Sequence, residues 1–282
     1  MTLPDNFQFS QGSLQDFVDC RRLFQLRYIE RRAWPALQTE PAIEAERHMQ
    51  QGALFHRLVQ AHLLGVPAEA LDALIQDADL ERWWEHYLLN VKDLTGFQNL
   101  SGLELHPEIS LSAPLGNYRL VAKYDLVTVQ PGGSFTIFDW KTSRKLPKPA
   151  WLAERLQTRV YPYLLVQAGT YLNQGVPIAP EKVSMVYWYA DHPDQPVRFD
   201  YNQADYQKDA EYLQALVDTI QRSGEDQFPL TDDERHCAYC VYRSLCDRGV
   251  RAGGIDAFEE ALDEGEDFDF ELDFEQIAEI EF

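Results

Sequence analysis

The 282-residue sequence predicts an α/β fold with a mixed central sheet flanked by helices. Three observations carry this. Residues 14–92 keep apolar residues at helical spacing, the centre alternates in the manner of strands, and a further helical stretch interrupts that centre. The composition is that of a folded chain, with 45% hydrophobic and 25% charged residues. No run of apolar residues is long enough for a membrane-spanning helix. The N-terminus lacks the basic start and apolar core of a signal peptide, so a cytoplasmic location with no membrane partner is expected.

The first helix is expected over 14–33, with Leu14, Phe17, Val18, Leu23, Phe24, Leu26 and Ile29 at helical spacing, ended by Trp34-Pro35. A second spans about 40–64, after Thr39 and before Gly65 and Pro67, and a third about 68–92. Strands follow at 103–111, 117–129 and 134–141, the last two joined by a turn at Pro131-Gly132-Gly133. A helix over 149–172, strands at 181–190 and 196–201, and a helix over 203–222 complete the body. A helical N-terminal part and a cysteine-bearing C-terminal segment thus enclose the sheet.

Charge divides the chain. The whole carries −21, but residues 256–282 hold 13 acidic residues and no Lys or Arg. Residues 1–255 therefore carry 25 basic against 33 acidic residues, or −8. Residues 1–255 are expected to form one domain. Residues 256–282 alternate acidic and apolar residues, as disordered interaction segments do, and offer a place for a protein partner.

Two aspartates lie in strand-like apolar surroundings where lone charges are costly, Asp125 in LVAKYDLVTV and Asp139 in FTIFDWKT. A hairpin can bring them together, and Lys141 shares the face of Asp139. Converging carboxylates suit Mg²⁺ or Mn²⁺. A lysine beside them can orient or deprotonate a water and stabilise charge on a phosphate. The pattern D-x13-D-x-K is thus suited to phosphodiester hydrolysis, although D-x-K alone is common by chance. Gln157 and Tyr161 share one helical face at i, i+4. His56, in GALFH, is a third potential metal ligand. Lys141, Arg144, Lys145, Lys148, Arg155 and Arg159 make the adjoining stretch basic, as a phosphate backbone requires.

Cys20 stands far from Cys237, Cys240 and Cys246, which form C-x2-C-x5-C. Disulfides are unexpected in a cytoplasmic chain. Four thiolates suit either an iron–sulfur cluster or zinc.

In this order, Gly52-x3-His56, Asp125, Asp139-x-Lys141 and Gln157-x3-Tyr161 resemble the motifs of RecB-like nucleases of the PD-(D/E)XK superfamily. The split cysteine set resembles the iron–sulfur branch. That branch includes CRISPR-associated iron–sulfur exonucleases and the nuclease domain of AddB-type helicase–nucleases. The resemblance covers about residues 13–248. It implies a restriction-endonuclease-like fold, with His56, Asp125 and Asp139 as divalent-metal ligands and Lys141 as the catalytic lysine. Gln157 and Tyr161 would support the site or contact DNA. The four cysteines would hold a structural [4Fe–4S] cluster, which the resemblance favours over zinc. The implied activity is DNA cleavage from an end, often of single strands, in repair, recombination or CRISPR adaptation. A second reading is a non-cleaving DNA-binding or adaptor subunit that keeps the nuclease fold. Asp139 stands where many relatives have glutamate, and Ala122 where a glycine is frequent. Glu104 or Glu108, on the strand before Asp125, could touch a metal or its water, but neither is counted among the site residues.

Overall fold

The computed structural model describes residues 3–249 apart from 5, 33–39, 96–102, 131–132, 225–226 and 238–239. The Trp34-Pro35 helix stop, most of the Pro131-Gly132-Gly133 turn and the 256–282 segment lie outside these residues.

The longest strands organise the sheet. Residues 104–130 alternate across a two-residue turn at Gly116-Asn117, so they fold back as β2 (Glu104–Leu115) and β3 (Tyr118–Gln130), paired antiparallel from Glu104–Val129 to Leu115–Tyr118. The other edge of β3 has two partners. Short β1 (Gln8–Phe9) runs parallel to it at Arg119 and Leu120. β4 (Ser134–Lys141) runs antiparallel to it from Gln130–Ser134 to Leu126–Phe138. Between these two pairings β3 has no strand partner on that edge among the described residues. β5 (Val183–Tyr189) joins β4 in parallel and β6 (Val197–Asp200) closes the sheet antiparallel to β5.

Alternation gives each strand two faces, and the central part of the sheet is covered on both. On one, Leu120, Ala122 and Tyr124 of β3 and Ile137 of β4 pack with Leu14 and Phe17 of α1 (Gln11–Asp19), Val160 and Leu164 of α7 (Leu156–Ala168), and Leu213 and Val217 of α8 (Gln203–Arg222). On the other, Leu126, Phe138, Trp140 and Trp188 meet Phe55 and Val59 of α3 (Glu40–Leu63) and Trp83 and Tyr87 of α5 (Ala78–Thr95). Each Leu, Val, Ile or Phe among them, fully buried, contributes about 1.5–3 kcal/mol.

Three expected helices are interrupted. The first is divided at Cys20, whose extended backbone (φ −158°, ψ 108°) ends α1 before α2 (Arg21–Phe24) and a π-helical turn (Gln25–Ile29). The start of α1 is set by a reciprocal Ser10–Ser13 cap. The third becomes α4 (Ala68–Asp72) and α5, with Asp77 Oδ1 accepting from the N–H groups of Asp79 (2.9 Å) and Leu80 (3.4 Å). The fourth becomes α6 (Pro149–Glu154) and α7, parted at extended Arg155. Periodicity persists through such breaks because one residue of extended chain scarcely changes which face is apolar. β1, with two residues, is too short to show a pattern.

Candidate active site

The gap on the β1/β4 edge of β3 is where the charged side chains gather. The β3–β4 register places Asp139 opposite Asp125, one step beyond the last pair, Leu126–Phe138. There the strands part, and Asp125 bridges them: its Oδ2 accepts the Trp140 N–H at 2.8 Å. On the β2 side the register places Glu108 opposite the same Asp125. Like charges directly opposite destabilise a sheet unless something positive lies between them. Glu108 also has a left-handed backbone, φ +54°. The faces exchange at this point. Tyr124 faces the first core, Leu126 the second, and Val127 the first again.

α3 supplies an imidazole. A Cβ on Gly52 would stand 3.1 Å from Thr142 Oγ1, so glycine lets the helix pass close to the end of β4. His56, one turn on, places Nδ1 3.0 Å from Asp125 Oδ1. One ligand atom each from His56, Glu108 and Asp125 lie within 4.8 Å of one another. Burial draws the His56 pKa down, but Asp125, with Asp139 beyond it, more than reverses this and brings it to about 9. Burial pushes Asp125 up, and His56 and the Trp140 N–H together hold it below the usual carboxylate range. The carboxylate donors of the set suit a hard divalent ion, and the imidazole adds a borderline nitrogen donor.

Asp139 is buried at 4% exposure on the α7 side of the gap. Gln157 Nε2 donates to its Oδ1 at 2.6 Å, and Lys141 Nζ lies 3.2 Å from its Oδ2. Lys141 also sits 5.9 Å from the centroid of the Tyr187 ring. Tyr161, a turn beyond Gln157, is buried against the Tyr124 ring at 4.9 Å, and its carbonyl accepts the Tyr124 hydroxyl at 3.0 Å. Of the residues singled out in the sequence, His56 and Asp125 therefore meet directly. Asp139, Lys141 and Gln157 form a second cluster beside them, and Tyr161 packs behind.

Glu108 is the residue that sequence reasoning did not count among the site residues. The signal was the Gly116-Asn117 turn: counting back from a two-residue loop sets Glu108 opposite Asp125. The basic stretch 141–159 also differs from expectation, because it forms no continuous face. Arg159 Nε donates to Asp209 Oδ1 at 2.6 Å and its guanidinium stacks 3.8 Å from the Tyr212 centroid. Arg155 lies over Trp151 and 3.8 Å from Asp19. Both guanidinium groups brace helices.

At the C-terminal end of α1, the four cysteines converge. All four are free, half-buried thiols. Burial and then the neighbouring Cys20 and Cys246 push the Cys237 thiol up. Burial, with Cys20, Cys246 and Cys237 beside it, brings Cys240 to about 11. Two one-turn 3₁₀ helices, Glu234–Cys237 and Arg243–Cys246, carry the outer pair of the triplet. The Tyr242 hydroxyl donates to the Arg32 carbonyl at 3.0 Å, tying this segment to the N-terminal helices.

Carboxylates gathered with an imidazole at a parting of two strands, with a lysine alongside, are an arrangement suited to phosphate-ester chemistry. The chain belongs to the PD-(D/E)XK nuclease superfamily, whose family model matches residues 8–247. It is therefore a nuclease by family, and the family uses divalent metals. No curated protein matches the chain. Similar solved structures include the protein SSO0001, at 15% identity and TM-score 0.39, covering 86% of this chain and 87% of that one. Another is a candidate exonuclease from Eubacterium rectale, at 13% identity and TM-score 0.48, covering 80% and 84%. Among the described residues no helix is long and apolar enough to cross a membrane.

Proposed function

We propose that the protein is a divalent-metal-dependent deoxyribonuclease that degrades DNA from its ends, with single strands as the favoured substrate. What supports this most is the meeting of His56, Glu108 and Asp125 beside the Asp139–Lys141 pair, where β3 and β4 part. His56, Asp125 and Asp139 are the ligands that the motif resemblance assigns, and Glu108 joins them by its position. A bound Mg²⁺ or Mn²⁺ supplies Lewis-acid polarisation of the scissile phosphate.

The chain's own groups do the rest. Lys141 holds a positive charge beside the place where phosphate charge develops and orients the attacking water. The water oxygen bonds to phosphorus, the P–O bond to the leaving group breaks, and the leaving oxygen takes up a proton. Gln157 fixes the Asp139 carboxylate, and the Trp140 N–H fixes that of Asp125. Tyr161 positions α7 under Gln157 by its packing on Tyr124.

Cys20, Cys237, Cys240 and Cys246 hold a structural [4Fe–4S] cluster of the RecB-like iron–sulfur branch. Four converging thiols fit that group, and zinc is the other tetrathiolate occupant. The cluster clasps the N- and C-terminal parts of a single nuclease unit, residues 1–255. The acidic composition of residues 256–282 suits a protein partner. The protein acts in the cytoplasm, in repair, recombination or CRISPR adaptation.

The test is anaerobic purification, a visible spectrum, iron and zinc analysis, and Mn²⁺-dependent digestion of labelled single-stranded DNA on the same sample. Brown, iron-loaded protein that cuts supports both assignments. Colourless zinc protein that cuts removes the cluster and keeps the nuclease. Iron-loaded protein that binds DNA without cutting leaves a binding subunit.

A further inference from the structure

We infer that the outward face of the β2–β3 hairpin is a track for the phosphates of one DNA strand leading to the site, with Lys123 and Arg119 as its contacts. The inference rests on the nuclease reading. Side chains of this hairpin fall into two sets. Leu111, Ala113 and Leu115 of β2 and Leu120, Ala122 and Tyr124 of β3 enter the first core. Their neighbours point the other way, in the rungs Ser110–Lys123, Ser112–Val121 and Pro114–Arg119, of which Val121 is buried and both cations are exposed. These rungs follow directly from Glu108–Asp125. At about 3.4 Å per residue, Lys123 stands about 7 Å and Arg119 about 20 Å along the strand from Asp125.

Both cations are exposed, the Lys123 side chain at 60%. Beyond Glu108 the outward rungs carry no acidic residue, although the chain as a whole carries −21. Charge is therefore segregated onto the strip that continues from the site. Arg119 is steadied from beneath, with Nη2 donating to the Ser112 carbonyl at 3.2 Å and to its hydroxyl. A guanidinium has five donors, so this anchorage leaves a fork for a phosphate. Lys123 Nζ is paired with the Glu108 carboxylate. A divalent ion that takes Glu108 frees this ammonium at the mouth of the gap, so strand binding and metal binding are coupled. The Ser110 and Ser112 hydroxyls add donors of the kind that position a backbone without reading its sequence.

The experiment is anisotropy of a fluorescein-labelled oligothymidylate with the full chain in Ca²⁺, over a range of salt concentrations. Each phosphate contact on a single strand contributes about 0.7 to the slope of log K against log salt. Arg119→Gln with Lys123→Gln should lower the slope by about 1.4 and the affinity at ~0.1 M salt by about 25-fold. Arg119→Lys and Lys123→Arg should restore most of it. If the double variant melts early, each single Gln variant should lower the slope by about 0.7. Unchanged slope and affinity in variants that melt as wild type does would overturn the track. Wild-type protein that neither binds the oligonucleotide nor hydrolyses a small chromogenic phosphodiester with Mn²⁺ would overturn the nuclease reading itself. Hydrolysis of that diester alongside unchanged DNA binding by the variants would overturn the track alone.

Discussion

Replacing Lys141 with alanine separates chemistry from architecture. Its ammonium lies 3.2 Å from Asp139 Oδ2, with side chains 12% and 6% exposed. Removing a group that stabilises developing charge costs about 10²–10³ in rate, and removing one that moves a proton costs about 10²–10⁴. A fall of about 10³ in kcat is therefore expected. Stability should fall too, because Asp139 stays buried without the ammonium. Stripping one partner from a buried pair costs about 3–5 kcal/mol. At about 2–4 °C per kcal/mol for a chain of this size, Tm should drop by about 10 °C. The two losses can be uncoupled. Asp139→Asn added to Lys141→Ala removes the stranded charge and keeps an amide within reach of Gln157. It should recover most of the melting temperature and none of the activity. Mn²⁺-dependent digestion of end-labelled DNA and calorimetric melts on all variants provide the readouts. A Lys141→Ala protein that cuts within about tenfold of wild type would refute the catalytic role. A double variant that melts no higher than the single would refute the stranded-charge argument.

Three further outcomes follow from the same structure. Gln157→Ala removes a 2.6 Å hydrogen bond to Asp139 and should lower activity by about 10–100-fold, with a matching loss of Mn²⁺ affinity by titration calorimetry. Asp209 is raised by burial, in part offset by Arg159 and Tyr201, so the folded state holds its proton to higher pH than the unfolded chain. Its contribution is full below the unfolded value of 3.8 and is lost as pH rises through the folded pKa. In urea titrations across the acid range, the stability difference between wild type and Asp209→Asn should shift against wild type as pH rises, and a pH-independent difference would contradict this. If the four cysteines hold the proposed cluster, Cys20→Ser should strip its iron or zinc and lower stability by several kcal/mol, since such a clasp closes a loop of more than two hundred residues. Metal analysis and melting of the purified variant report both effects.

Much of the site was legible before the fold was known, because chemistry confined to one element leaves a local pattern. Asp139 and Lys141 are two apart on one strand, and alternation alone puts them on one face, where they pair. Gln157 was placed by a helix starting after Asp139, and it reaches that carboxylate. Glu108 was harder. On its own strand it is one acid among Glu104, His106 and Ser110, and nothing local distinguishes it. Arg155 and Arg159 misled in the opposite way. They read as part of a basic face, but the helix rotates them toward Asp19 and Asp209.

The sequence by itself determined the α/β class, the order of the strands and helices, and the D-x-K unit, since periods of 2 and 3.6 residues record which face each element buries. Only the tertiary structure decided where those elements break and what meets between them. The extended residues Cys20 and Arg155 cost little in local pattern, yet they set the directions of α2 and α7. The parting of β3 from β4 after Leu126–Phe138, and the approach of His56 to Asp125, depend on contacts between segments distant in the chain. A carboxylate's neighbours across a sheet follow from register, and register is a property of two strands together.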